Sequence, residues 1–92
     1  MKKKITIKGT KYDFKFLNVS APILGQTDTN EKHIEIYFHD NENELNKTIV
    51  HELLHAYLFE CGLVNYVDNE DLVVWFENIF FDLLKNFQNI TE

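Results

Sequence analysis

Two regimes of hydrophobic patterning divide the chain. Residues 3–39 place apolar side chains at alternate positions, whereas residues 43–90 place them at three- and four-residue steps; these are the periods of strand and helix. Ile5 and Ile7 alternate with Lys4, Thr6 and Lys8, which predicts a half-buried first strand. Gly9-Thr10 signals a turn, and Tyr12, Phe14 and Phe16 alternate with Asp13 and Lys15 as an antiparallel hairpin partner would. Ser20 to Lys32 holds the only proline, Pro22, with Gly25 and a polar run, and reads as a loop with room for a short strand near Ile23-Leu24. The last expected strand is His33 to Phe38, with Ile34, Ile36 and Phe38 on one face and His33, Glu35 and Tyr37 on the other.

The helical regime begins after His39-Asp40-Asn41. From Glu44 to Cys61 there is no proline or glycine, and Gly62 follows where a helix-ending glycine belongs. Asn41 or Asn43 can cap the start, with Glu42 and Glu44 suited to the helix dipole, so a helix is expected over about 43–61. A second is expected over about 69–88, starting at Asp68 or Asn69. Its Val73, Phe76, Phe80, Leu83, Leu84 and Phe87 form one apolar stripe, widened by Trp75 and Ile79. So many aromatic residues read as core, and the short turn Gly62–Val67 predicts an antiparallel helix pair. The expected fold is a single α+β domain over 1–92, a small antiparallel sheet of three or four strands packed on two antiparallel helices.

Composition narrows the function. The 92 residues include eight Phe, four Tyr and one Trp, enough for a core in one small domain. A net charge of -6 argues against broad electrostatic binding of nucleic acid. Every apolar run is interrupted before it could span a membrane, and the lysine-led start lacks the apolar core of a signal peptide, so a cytoplasmic protein is expected. Lys2, Lys3, Lys4, Lys8, Lys11 and Lys15 crowd the N-terminal segment and are read as a solvated strand face. Cys61 is the only cysteine, which excludes an intrachain disulfide, and its neighbourhood suggests a small buried hydrophobe.

The chemistry lies in His51-Glu52-Leu53-Leu54-His55, an H-E-x-x-H pattern. Residues four apart share a helix face, so His51 and His55 can direct two imidazoles at one ion, with Glu52 one step round the helix. Neutral imidazole suits zinc, and a carboxylate beside a zinc-activated water can take its proton, as in metallopeptidases. The flanking Val50, Leu53, Leu54, Ala56 and Tyr57 are uncharged, as expected of a helix packed inside a domain.

A catalytic zinc site usually has three protein ligands. Extending the apolar stripe of the second helix back from Val73 lands on Glu70, which makes it the preferred third ligand; Asp71 is the reserve, because one residue of helix phase is within boundary error. Glu77 is a candidate acceptor for a histidine N–H. His33 and His39, at the polar edge and end of a strand, read as solvent-facing rather than ligating. Tyr57 and Tyr66 are the nearest oxyanion donors in sequence, although both also fit packing with a solvated hydroxyl.

Thr48 to Ala56, then Gly62-Leu63, then Glu70-x-x-Val73-Val74-x-Phe76 resemble the core of small zincin-fold proteins encoded by bacteriophages and mobile elements. The layout is also similar to the ImmA/IrrE-like metallopeptidases of gluzincin type, whose second helix opens E-x-x-A-(N/D)-x-F. Gly25-Gln26-Thr27-Asp28 followed by Ile34-Glu35-Ile36 resembles the strand that precedes the helix in the phage proteins. The resemblance spans roughly residues 23–87. It implies a zinc peptidase hydrolysing a peptide or protein substrate, with Glu70 as third ligand and Glu52 as general base. Val73-Val74 stands where the pattern has a small-polar pair, and the short chain leaves little for a substrate lobe, which is compatible with a zinc-binding module without catalysis.

Overall fold

The computed structural model describes residues 2–19 and 21–92. Met1, at the start of the first expected strand, and Ser20, at the start of the expected loop, lie outside the described residues. The element order is β1 (Lys2–Ile7), β2 (Thr10–Leu17), β3 (Gly25–Asp28), β4 (His33–Tyr37), α1 (Glu42–Glu60), a 3-10 turn (Val64–Tyr66) and α2 (Glu70–Thr91). The fold is α+β, as the two hydrophobic periods predict. Among the described residues no helix is long and apolar enough to cross a membrane.

β1 and β2 form the expected antiparallel hairpin, with Ile7 opposite Thr10. Lys8 and Gly9 turn the chain at φ 51° and 85°; two positive φ values in a two-residue loop match the right-handed twist of the strands it joins. The second hairpin pairs β3 with β4, Gly25 opposite Ile36 and Asp28 opposite His33. Its loop is fixed by Asp28 Oδ1, which accepts from the backbone N–H groups of Asn30 and Glu31 at 2.9 Å each.

The sheet departs from the expected all-antiparallel arrangement. Its order is β1-β2-β4-β3, and β2 and β4 run parallel, Phe14 opposite Ile34 and Phe16 opposite Ile36. The second hairpin docks through its second strand, which puts the two most apolar strands side by side at the centre. Tyr12, Ile34 and Ile36 are wholly buried there, with Ile7 and Phe14 nearly so. The β3 strand begins at Gly25, immediately after Ile23-Leu24, whose side chains are exposed, and occupies the edge. β4, flanked on both sides, has no free edge to offer. Phe38 lies past its end and is exposed rather than sharing the face of Ile34 and Ile36.

α1 covers the inner face of the sheet. Ala56 joins the core cluster, with Leu45, Ile49 and Leu53 packed against it. At the far end Tyr12 donates to Glu60 Oε2 at 2.7 Å, and Lys32 pairs with the same oxygen at 2.8 Å, which ties β2 and the β3–β4 loop to the last turn of α1.

α2 corrects the expectation of an apolar stripe sealed in the core. Val73 is its one buried residue, whereas Phe80, Leu83 and Phe87 are 42%, 64% and 62% exposed. α1 already occupies the sheet's inner face, so α2 meets only the flank of α1, and its outer apolar side has no third layer to enter. Cys61, expected to be buried, is exposed.

Candidate metal centre

The site is assembled by the caps of the two helices. Asn41 starts α1 by accepting the Glu44 N–H at 3.1 Å. At its other end Gly62 takes φ 83°, Gly62 N–H donates to Phe59 O at 3.0 Å and Leu63 N–H to Leu58 O at 2.9 Å. This is the paired hydrogen bonding of a Schellman ending, in which glycine avoids the Cβ penalty of the left-handed conformation. The 3-10 turn follows, and Asn69 caps α2 by accepting the Leu72 N–H at 3.1 Å. Glu70 thus becomes the first residue of α2. Contacts of Glu70 with both motif histidines and of Glu77 with His51 hold the first turns of α2 against α1.

His51 and His55 lie on the flank of α1 that faces α2. Glu70 bridges them, Oε2 lying 2.8 Å from His51 Nε2 and Oε1 3.0 Å from His55 Nε2. The outer nitrogens are directed elsewhere. His55 Nδ1 donates to the Val67 carbonyl at 2.6 Å, and His51 Nδ1 faces Glu77 Oε1 at 3.5 Å. A carbonyl can only accept, so the Val67 bond fixes the His55 tautomer and leaves its Nε2 lone pair turned into the site. Glu77 thus takes the position expected of an acceptor behind a ligand histidine.

Two imidazole nitrogens 3.3 Å apart and a carboxylate therefore converge on one point. Such a cluster of electron pairs is stable only with positive charge at its centre, supplied by protons or by a metal ion. Ligand atoms from His51, His55 and Glu70 all lie within 4.8 Å of one another, and the cluster could hold a metal ion. Two nitrogens about 2.1 Å from a tetrahedral ion stand roughly 3.4 Å apart, close to the separation here.

Glu52 is buried beside this cluster, and its orientation is set from the sheet. Thr27 Oγ1 lies 2.8 Å from Glu52 Oε1 and 2.9 Å from the Glu52 backbone oxygen. Gly25 allows β3 to come this close. A Cβ on Gly25 would sit 3.0 Å from Glu35 O and 3.1 Å from both Glu52 Cγ and Thr48 Cγ2, so its neighbours would have to give way in a close-packed contact. One cleft beside the histidines is lined by Thr27, Glu52, His55, Asp68 and Glu70; a second is lined by Leu24, His51, Glu52 and Glu77. Glu52 faces both.

The tertiary structure thus brings together His51, Glu52, His55, Glu70 and Glu77, and leaves Asp71 out of the cluster. His33 lies 4.0 Å from Glu35, and His39, expected to face solvent, instead buries its Nε2, which has no hydrogen-bond partner among the described residues; neither histidine belongs to the cluster. Tyr57 and Tyr66 are exposed and do not line the clefts beside the histidines. Thr27 was singled out by sequence reasoning only within a resemblance; its spacing from Glu52 carries no local signal, because a strand and a helix meet there. No protein-family model, curated protein or solved structure matches the chain.

Proposed function

We propose that the chain is a zinc-dependent metallopeptidase of zincin type, similar to the small phage and mobile-element proteins and to the ImmA/IrrE-like enzymes, acting in the cytoplasm on a peptide or protein substrate. His51, His55 and Glu70 hold the metal and Glu52 is the general base. The observation that carries this reading is the bridging of both Nε2 atoms by Glu70 beside a buried Glu52. Two imidazoles and one carboxylate suit zinc better than the hard cations magnesium or calcium. Bound zinc would supply Lewis acidity towards a peptide carbonyl and lower the pKa of water.

Glu52 accepts the water proton and returns it to the leaving nitrogen. Thr27 holds Glu52 Oε1 in place, so the carboxylate does not have to find its orientation during the reaction. His55 keeps its Nδ1 proton on Val67 O, and its Nε2 remains a ligand. β3 is the sheet edge nearest the site, and its outer side is free to align an extended substrate by strand addition.

A second reading, a zinc-binding but catalytically inactive interaction module of a phage or mobile element, is favoured by the exposed apolar side of α2. Elemental analysis of the untagged chain tests both. Near-stoichiometric zinc in the wild type, lost in His55→Ala and Glu70→Ala, is expected. Cleavage of a peptide library that disappears in Glu52→Gln, with zinc retained, supports the peptidase. Zinc without cleavage in either protein supports the inactive module, and a wild type that binds no zinc after loading sinks both.

A further inference from the structure

α2 turns Val73 towards α1, and Leu72, Phe76, Ile79, Leu83, Asn86 and Ile90 recur at alternating steps of four and three residues, the first two half-buried, Phe76 beside α1, and the other four exposed. That alternation is a heptad seam, the pattern by which one helix packs along another. Most of it is bare: Ile79 is 41% exposed, Leu83 64% and Ile90 82%, with Trp75 and Phe87 exposed on its borders. The apolar groove that runs along it is lined by residues of α2 alone.

We propose that this seam is a dimer interface, in which α2 of one chain packs in parallel and in register against α2 of a second copy. Surface area is the first argument. The chain exposes 6524 Å², whereas a folded monomer of 11.0 kDa exposes roughly 5,600 Å². The surplus of about 900 Å² matches the ~800 Å² that each partner contributes to a stable interface. Composition is the second. The six seam positions carry no charge, and the borders supply Trp75, Phe80 and Phe87, with Asp82 the one charged residue among those that line the groove. Charge depletion with aromatic enrichment marks the centre of an interface.

Asn86 selects the occupant. It is the one polar residue of the seam. A parallel copy in register places the same amide at the same level, and each can donate to the other. An antiparallel copy or an apolar foreign helix would set Asn86 against hydrocarbon and leave its amide unsatisfied. The interface is isologous, so pairing closes at two copies.

Sedimentation equilibrium on the full chain at tens of micromolar tests the proposal. The wild type should have twice the mass of the 11.0 kDa chain. Leu83→Glu should halve that mass with unchanged far-ultraviolet circular dichroism, because the fold does not bury Leu83. In a Cys61→Ser/Ile79→Cys variant, which keeps Asn86, mild oxidation should join two chains rapidly through the new thiols. A monomeric wild type, as expected if a different protein covers this face, overturns the proposal. So does a Leu83→Glu variant that stays dimeric, and a dimer whose Ile79→Cys positions fail to cross-link overturns the parallel register.

Discussion

At the scale of single residues, the centre depends on distances that leave little freedom. His55 is held from behind by Val67 O, His51 faces Glu77, and Glu52 is fixed by Thr27. The last contact requires β3 to lie against α1, and Gly25 permits it. Gly25→Ala should therefore cost about 1–3 kcal/mol, as overpacking of a close contact does, and should loosen Glu52 by pushing Thr27 away. Denaturant unfolding checks the first part. On the proposed peptidase reading, a fall in kcat with unchanged zinc content checks the second, since the atoms that crowd Gly25 belong to Glu35, Glu52 and Thr48 and not to His51, His55 or Glu70. Of this group the sequence made His51, Glu52 and His55 legible through helix periodicity, and Glu70 through the phase of the next helix. Thr27 and Gly25 were not legible as site residues, because their roles arise from the approach of a strand to a helix far along the chain.

At the scale of elements, the join between sheet and α1 sets the pH response. Lys32 and Tyr12 hydrogen-bond Glu60 and hold its carboxyl below the ordinary value. Burial and the same Glu60 contact push the Tyr12 phenol above its ordinary range. For Glu60 the folded state favours the charged form, so the stabilisation is present above the unfolded pKa of about 4.3 and is lost as pH falls through the lower folded value. For Tyr12 the folded state favours the neutral form, so stability is full below the unfolded pKa of about 10 and declines as pH rises beyond it. Urea midpoints measured across pH should fall at both ends. Glu60→Gln should flatten the acid limb, and an acid limb unchanged by that substitution would show that the tie contributes nothing. Sheet order belongs to this scale as well. Period-two patterning identified the β1–β2 hairpin and the β4 strand, but strand periodicity is the same for parallel and antiparallel neighbours, so only docking of the two hairpins decided that β2 lies beside β4.

At the scale of the whole molecule, the cluster of His51, His55 and Glu70, which could hold a metal ion, bridges α1 and the start of α2. A ligand that binds only the folded state stabilises it by mass action, about 2.7 kcal/mol at a hundredfold excess over its Kd. For a domain of this size that is a rise in Tm of roughly 10–20 °C. Differential scanning fluorimetry should show this rise on adding zinc, its reversal by a chelator, and its absence in His55→Ala. A Tm indifferent to zinc would place any bound ion outside the folded bridge between the helices. The same bridge accounts for the bare side of α2: its first turns are committed to α1, and the rest extends along a surface that one copy of the chain does not cover.

What the sequence determined by itself is what local periodicity and covalent adjacency encode. It set the division into strands and helices, the glycine ending at Gly62, and the facing of His51 and His55 on one helix, and it narrowed the caps to Asn41 or Asn43 and to Asp68 or Asn69. Each depends on residues within a few positions of one another, so the chain need not be folded to read them. Tertiary structure decided the rest: the parallel contact of β2 with β4, the choice of Glu70 over Asp71, the Thr27 hold on Glu52, and the exposure of a stripe that hydrophobicity alone assigned to the core. Hydrophobic pattern specifies which faces must leave water, but the partner for each face is set by which surfaces are still open. Once α1 had taken the sheet, the outer side of α2 had none within the chain.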